Sequence, residues 1–223
     1  MMARADLTTA HPRGGIMRRY EGLRGTGSGL CAPGAGPGVA GNGGERMIVI
    51  RSERLELREL ELQDDEFILD LLNEAPFMRF IGDKGVRNLP DAREYILKGP
   101  MDSYRRFGFG LYLATLSGSG LPIGICGLVK RDTLPDVDVG FAFLTRYWSR
   151  GYAAESAAAV LAFGTRQLQL PRIVAITASD NRASIAVLEK IGLRFERMVR
   201  LTDGGEELKM FGPGPPEDRP PCI

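Results

Sequence analysis

The unit that most constrains this chain lies between residues 137 and 179. An apolar, strand-like run (137–144) enters the turn Arg146-Tyr147-Trp148-Ser149-Arg150-Gly151. An alanine-rich helical run (154–168) follows, and a run rich in β-branched residues (172–179) closes the unit. Strand–helix–strand order within one sheet requires a parallel pair with a right-handed crossover. The flanking strand-like runs are joined by short turns instead. Ser117-Gly118-Ser119-Gly120 links 110–116 to 122–130, and Asp203-Gly204-Gly205 links 193–200 to 208–211. Short turns make antiparallel neighbours, so the expected class is α+β with a mixed central sheet.

The turn inside that unit also carries chemistry. Unpaired N–H groups converge where a helix begins, and the helix dipole adds to their pull on an anion. Gly151 and Ala153 lack the bulk that would keep a phosphate from the backbone, while Arg146 and Arg150 add positive charge. No Gly-Lys-Ser/Thr follows, so this is not a nucleoside-triphosphate loop, and it has no Gly-x-Gly-x-x-Gly dinucleotide fingerprint. Residues 150–154 therefore read as a diphosphate cradle, against the plainer alternative of a strand–turn–helix junction that binds nothing.

Composition narrows the partners. A chain of 223 residues suits one domain plus tails, and 29 Lys+Arg against 28 Asp+Glu give a net charge of +1, which argues against nucleic acid. The longest purely apolar run, 157–163, is too short to span a bilayer, so no membrane partner is expected. Cys31, Cys126 and Cys222 show neither a disulfide framework nor metal-ligand spacing, and the single His11 lies in a tail-like segment. No metal is expected, and the expected compartment is the reducing cytoplasm.

Residues 1–46 are rich in Gly with scattered Arg and are expected to be a disordered extension. Patterned sequence starts abruptly at Met47, which suggests Met47 as the natural start; an endogenous peptide from before it would refute this. The domain is expected over 47–211, and 212–223 reads as a Pro-rich disordered tail. Within the domain, period-two alternation marks 54–58 as a half-buried strand. Apolar spacing predicts a helix over 64–75 capped by Asp64, and Pro90-Asp91 opens a second over 92–98 that stops at Gly99-Pro100. A further helix is predicted over 181–191, ending at Gly192.

That last helix supplies a second motif, Asn181…Ser184…Glu189-Lys190-Ile191-Gly192-Leu193, placed after a strand. With Tyr147-Trp148-Ser149-Arg150-Gly151-Tyr152-Ala153 it resembles the GNAT N-acetyltransferase superfamily over residues 50–211. The resemblance points to the branch acting on the N-terminal alanine or serine of ribosomal proteins, where Tyr-Trp-Gly-Lys-Gly-Tyr-Ala recurs. It implies a GNAT-like mixed sheet, flanked by helices, whose two parallel strands splay at their C-terminal ends. It also implies acetyl-coenzyme A as co-substrate, with pantetheine in the wedge and the diphosphate on the turn. The donor-binding residues would be Phe143, Leu144, Arg146, Arg150, Gly151, Tyr152, Ala153, Ala154 and Asn181. Of these, Asn181 either holds pantetheine or only caps the helix, and an amide near Phe143 or Leu144 would serve the carbonyl oxygen.

Acetyl transfer to an amine needs a base, because a free amine is mostly protonated at neutral pH. Asp138 is the first candidate, with a solvated strand-edge carboxylate as its plainer reading; Asp136 lies nearer a turn, and Glu155 suits helix stability. Many family members place a Tyr one residue before the Glu-Lys of the second motif, where this chain has Leu188. Ser184 is the nearest polar alternative as acid, unless it only serves the helix N-terminus. Cys126 lies in an apolar run, which favours direct attack in a ternary complex over an acyl-enzyme. The acceptor wall is expected from the N-terminal helices, residues 77–83, Tyr104, Arg105 and Phe107. The acceptor would be a protein N-terminus or a small amine. A detoxifying transferase and a silent coenzyme-A-binding module remain alternatives, and the chain is expected to be a monomer or homodimer.

Overall fold

The computed structural model describes residues 47–214. The expectations for 1–46 and for most of the Pro-rich tail lie outside the described residues. Eight strands form one sheet: β1 (Ile48–Arg51), β2 (Leu55–Arg58), β3 (Leu111–Leu116), β4 (Pro122–Val129), β5 (Val137–Phe143), β6 (Ile173–Ala178), β7 (Arg194–Arg200) and β8 (Glu207–Gly212). Their order is β1-β2-β3-β4-β5-β6-β8-β7. Every neighbouring pair is antiparallel except β5–β6, so the class is α+β with the expected mixed sheet. The last strand, β8, inserts between β6 and β7.

Helices cover both faces: α1 (Asp65–Leu72), α2 (Ala75–Phe80) and α3 (Leu89–Lys98) on one, α5 (Tyr152–Arg166) and α6 (Arg182–Lys190) on the other, while α4 (Pro100–Phe107) gives Met101 to the first layer and Tyr104 to the second. Period-two alternation divides the strands between two cores. Leu113, Ile125 and Leu144 pack with Ile68, Leu71 and Ile96 of the α1–α3 layer. Tyr112, Cys126, Leu128, Val137 and Val139 pack with Ala157 and Val160 of α5.

Three local features depart from the sequence reading. The helix expected over 64–75 stops at Leu72, because Pro76 would clash with the Leu72 carbonyl of a continuous one, and a separate helix, α2, starts at Ala75. Asp64 precedes α1 without capping it by its side chain. Its carboxylate instead takes two bonds from the Arg58 guanidinium (2.7 and 2.8 Å) and one from the Glu61 amide (2.8 Å). A further helix, α4, starts at Pro100, where the missing N–H costs nothing, and ends at Gly108 (φ 76°). Its Tyr104 stacks on Tyr112, with centroids 5.6 Å apart, and accepts the Leu60 amide at 3.1 Å. Tyr104, Arg105 and Phe107 therefore fasten or flank the sheet and do not line the cavity described below.

Candidate active site

The parallel pair is short. Only Val137↔Ile173 and Asp138↔Val174 form rungs; beyond them β5 continues to Phe143 and β6 to Ala178 without pairing. The splay opens a cavity of about 780 Å³ walled by both strands and by the N-terminal ends of α5 and α6. Which β5 groups face it follows from parity. The Leu144 amide donates to the Ile123 carbonyl at 3.0 Å, and the β4–β5 register is unbroken. Even-numbered β5 residues thus spend their backbone groups on β4, and odd-numbered ones point theirs toward β6. Beyond the last rung, the Phe141 and Phe143 amides face the splay with no strand opposite. Leu144 is spent in the ladder, so of the two expected carbonyl-oxygen donors only the Phe143 amide remains free. Its own carbonyl accepts the Trp148 indole N–H at 2.7 Å.

At the open end of the splay, α5 begins on Gly151, whose φ of 82° is left-handed, and no side chain caps the first turn. The Glu155 amide donates to the Gly151 carbonyl at 3.0 Å, and the amides of Tyr152, Ala153 and Ala154 carry no such bond. A Cβ on Gly151 would also meet the Arg54 guanidinium at 3.3 Å. Arg54 is a component the sequence did not reveal. It lies over the Tyr152 ring (4.7 Å), donates to the Arg150 carbonyl (3.1 Å) and pairs with Glu155 (2.7 Å). Burial pushes the Glu155 carboxyl up, but bonds from the Arg54 amide, Ser52 and the Arg54 guanidinium outweigh it and hold the pKa below the usual value. Glu155 thereby ties the β1–β2 turn to the cradle, more than stabilising its own helix. Arg146 and Arg150 flank Tyr147 at 5.4 and 5.6 Å. Neither lines the cavity; Arg146 and Leu144 border a separate depression with Asn73, Glu74 and Arg87.

Asp138 sits on the face of β5 opposite Val137 and Val139, as alternation requires, but it is not solvated. It is 1% exposed and takes two bonds from Arg131, at 2.9 and 3.3 Å. Burial drives its pKa above the ordinary carboxylate value against the pull of Arg131. The Asn181 carbonyl oxygen accepts the Ser184 amide at 3.1 Å, so Asn181 does cap α6, with its amide nitrogen left over beside the cavity. The Ser184 hydroxyl lines the cavity without a bond of its own among the described residues, and Leu188 is buried in the core. Cys126 is fully buried, and burial pushes its thiol up to about 12 despite a bond with Ser156, which makes it a poor nucleophile.

Residues 54–194 match the family model of the acetyltransferase (GNAT) domain. The chain belongs to the GNAT acetyltransferase family. The uncharacterized N-acetyltransferase YnaD of Bacillus subtilis (strain 168) is 29% identical over 147 residues, 66% of this chain and 83% of that one. An acetyltransferase structure from Agrobacterium tumefaciens str. C58 is similar at 28% identity and a TM-score of 0.64, over 73% of this chain and 92% of that one. RimL, a ribosomal L7/L12 alpha-N-protein acetyltransferase in complex with coenzyme A, shares the fold at 18% identity and a TM-score of 0.65, over 74% of this chain and 97% of that one.

In this GNAT acetyltransferase the cavity continues past Gly140 to the α1–α3 side. There Phe77, Phe80 and Ile81 form an apolar wall, and Lys84, Tyr95 and Arg131 bring polar groups. The sequence had marked 77–83 for this wall; Lys84, Tyr95 and Arg131 carried no signal, because no local period or motif places them together. An exposed Arg79–Asp180 pair (2.9 Å) links α2 to the loop before α6. Among the described residues no group of His, Cys, Asp and Glu could hold a metal, and no helix is long and apolar enough to cross a membrane.

Proposed function

We propose that the protein transfers an acetyl group from acetyl-coenzyme A to a primary amine by direct attack in a ternary complex. The observation that carries this reading is the uncapped α5 N-terminus set at the mouth of the β5–β6 splay. Its free amides and the side-chain-free Gly151 fit a diphosphate, and the unpaired β5 amides fit the amide groups of pantetheine. When bound, acetyl-coenzyme A supplies an activated acetyl group that forms an amide with the amine as the thiol departs.

The residues divide that work. The Phe143 amide is placed to donate to the carbonyl oxygen, and Asn181 to hold the donor's polar arm through its spare amide group. Asp138 takes the proton that the amine loses as the new C–N bond forms and the C–S bond breaks. Burial raises its pKa above the ordinary carboxylate value, which makes it a stronger base than a solvated aspartate. The sulfur's electron pair is protonated by water or by the Ser184 hydroxyl. Cys126, buried with a high pKa, stays out of the reaction.

Calorimetry with acetyl-coenzyme A, then thiol release across a panel of amines, tests the reading. Micromolar binding with acceptor-dependent thiol release is expected. Binding with no release on any amine would favour a silent coenzyme-A-binding module, and no binding at all would refute the assignment.

A further inference from the structure

The charges on the acceptor side of the cavity do not balance. Asp138 is matched by Arg131, whose Nε and one Nη make the two bonds, so its second Nη remains free. Lys84 adds a second cation and has no hydrogen bond or ion pair among the described residues. Lys84 is exposed along its length, yet its ammonium lies in the crowded rim. Desolvation, then repulsion from Arg131, holds its pKa below the ordinary lysine value. Tyr95 shares this corner: burial pushes its phenol up to about 12, with Arg131 pulling the other way. Glu74 also borders the cavity, but its carboxylate is occupied at the far end of β5 by the Thr145 amide (2.9 Å) and hydroxyl (3.4 Å). Around Asp138 the acceptor arm therefore offers one carboxylate, two cations and an apolar wall, with the Glu74 charge held at the far end of β5.

Resting on the transferase reading above, we propose that the acceptor is a free α-amino acid with an apolar side chain. Its amine faces Asp138, its carboxylate bridges Arg131 and Lys84, and its side chain lies on Phe77, Phe80 and Ile81. The spacing suits this, because the nitrogen and carboxyl carbon of an α-amino acid are roughly 2.5 Å apart. That matches a site whose opposite charges are held in direct contact. A polyamine would meet two cations where it needs anions, and a peptide N-terminus presents a neutral carbonyl where the site offers positive charge.

The test measures thiol release by the full chain with acetyl-coenzyme A and four matched acceptors: leucine, isopentylamine, leucinamide and a leucine-initiated tripeptide. Leucine should exceed the other three in kcat/KM by about tenfold or more. Lys84→Gln should erase most of that advantage through KM while leaving acetyl-coenzyme A affinity unchanged by calorimetry, and Lys84→Arg should restore it. Equal or better use of isopentylamine, leucinamide or the tripeptide overturns the proposal but leaves the transferase reading standing. So does a leucine preference untouched by Lys84→Gln. Absence of thiol release with all four overturns the proposal, and absence of donor binding overturns the transferase reading as well.

Discussion

The two halves of the cavity are built from different parts of the polypeptide. The proposed donor half is nearly all main chain: β5, the turn, the start of α5 and β6 follow one another within a single strand–helix–strand unit. The proposed acceptor half is nearly all side chain, gathered from α2, the loop after it, α3 and the turn between β4 and β5. A site made of backbone donors needs little more than small residues and a helix start, which neighbours in sequence can specify. A site made of side chains exists only after distant segments pack. The donor half can therefore stay fixed while the acceptor half changes its chemistry one residue at a time.

Substitutions can break or sharpen that division. The largest effect is expected for Asp138→Asn, which should lower kcat by about a thousandfold and leave donor affinity within a factor of two or so. In its proposed role Asp138 works deprotonated, and its pKa is raised, so the wild-type rate should fall as pH drops through that raised pKa. The variant's residual rate should lack this limb in a pH–rate profile. Next, Gly151→Asp puts a Cβ at a φ of 82° and a negative charge beside the α5 amides, and should weaken acetyl-coenzyme A binding on the order of a hundredfold. Its acceptor preference should not move; a changed preference would mean that the halves are coupled. The smallest effect is expected for Arg54→Ala, about tenfold in donor affinity by calorimetry, because it removes a guanidinium beside the cradle and releases Glu155.

The same division explains what could be read before folding. The strand–helix–strand unit, the turn at 150–154 proposed as the cradle and the Asn181 motif are local patterns, and the structure puts each of these segments on its expected element. Asp138 was legible as opposite the apolar face, but its burial was not, because Arg131 reaches it only across the β4–β5 turn. Arg54 read as one charge of an alternating strand; its bond to the Arg150 carbonyl joins residues 96 apart, beyond any periodicity. Helix α4 was missed because Gly99-Pro100 signals a stop, and the same proline also opens a helix. The end of α1 at Leu72 was hidden by an apolar spacing that continued to Ala75, and the helix that starts there and runs past Pro76 carried no expectation.

Trp148 is the single tryptophan of the chain, and its indole hydrogen-bonds to the strand that lines the proposed donor cleft while 42% of its surface stays exposed. Intrinsic fluorescence excited at the indole band thus comes from one spot, beside the proposed seat of the carrier. Quenching or a blue shift on titration would track occupancy in real time, with no label attached.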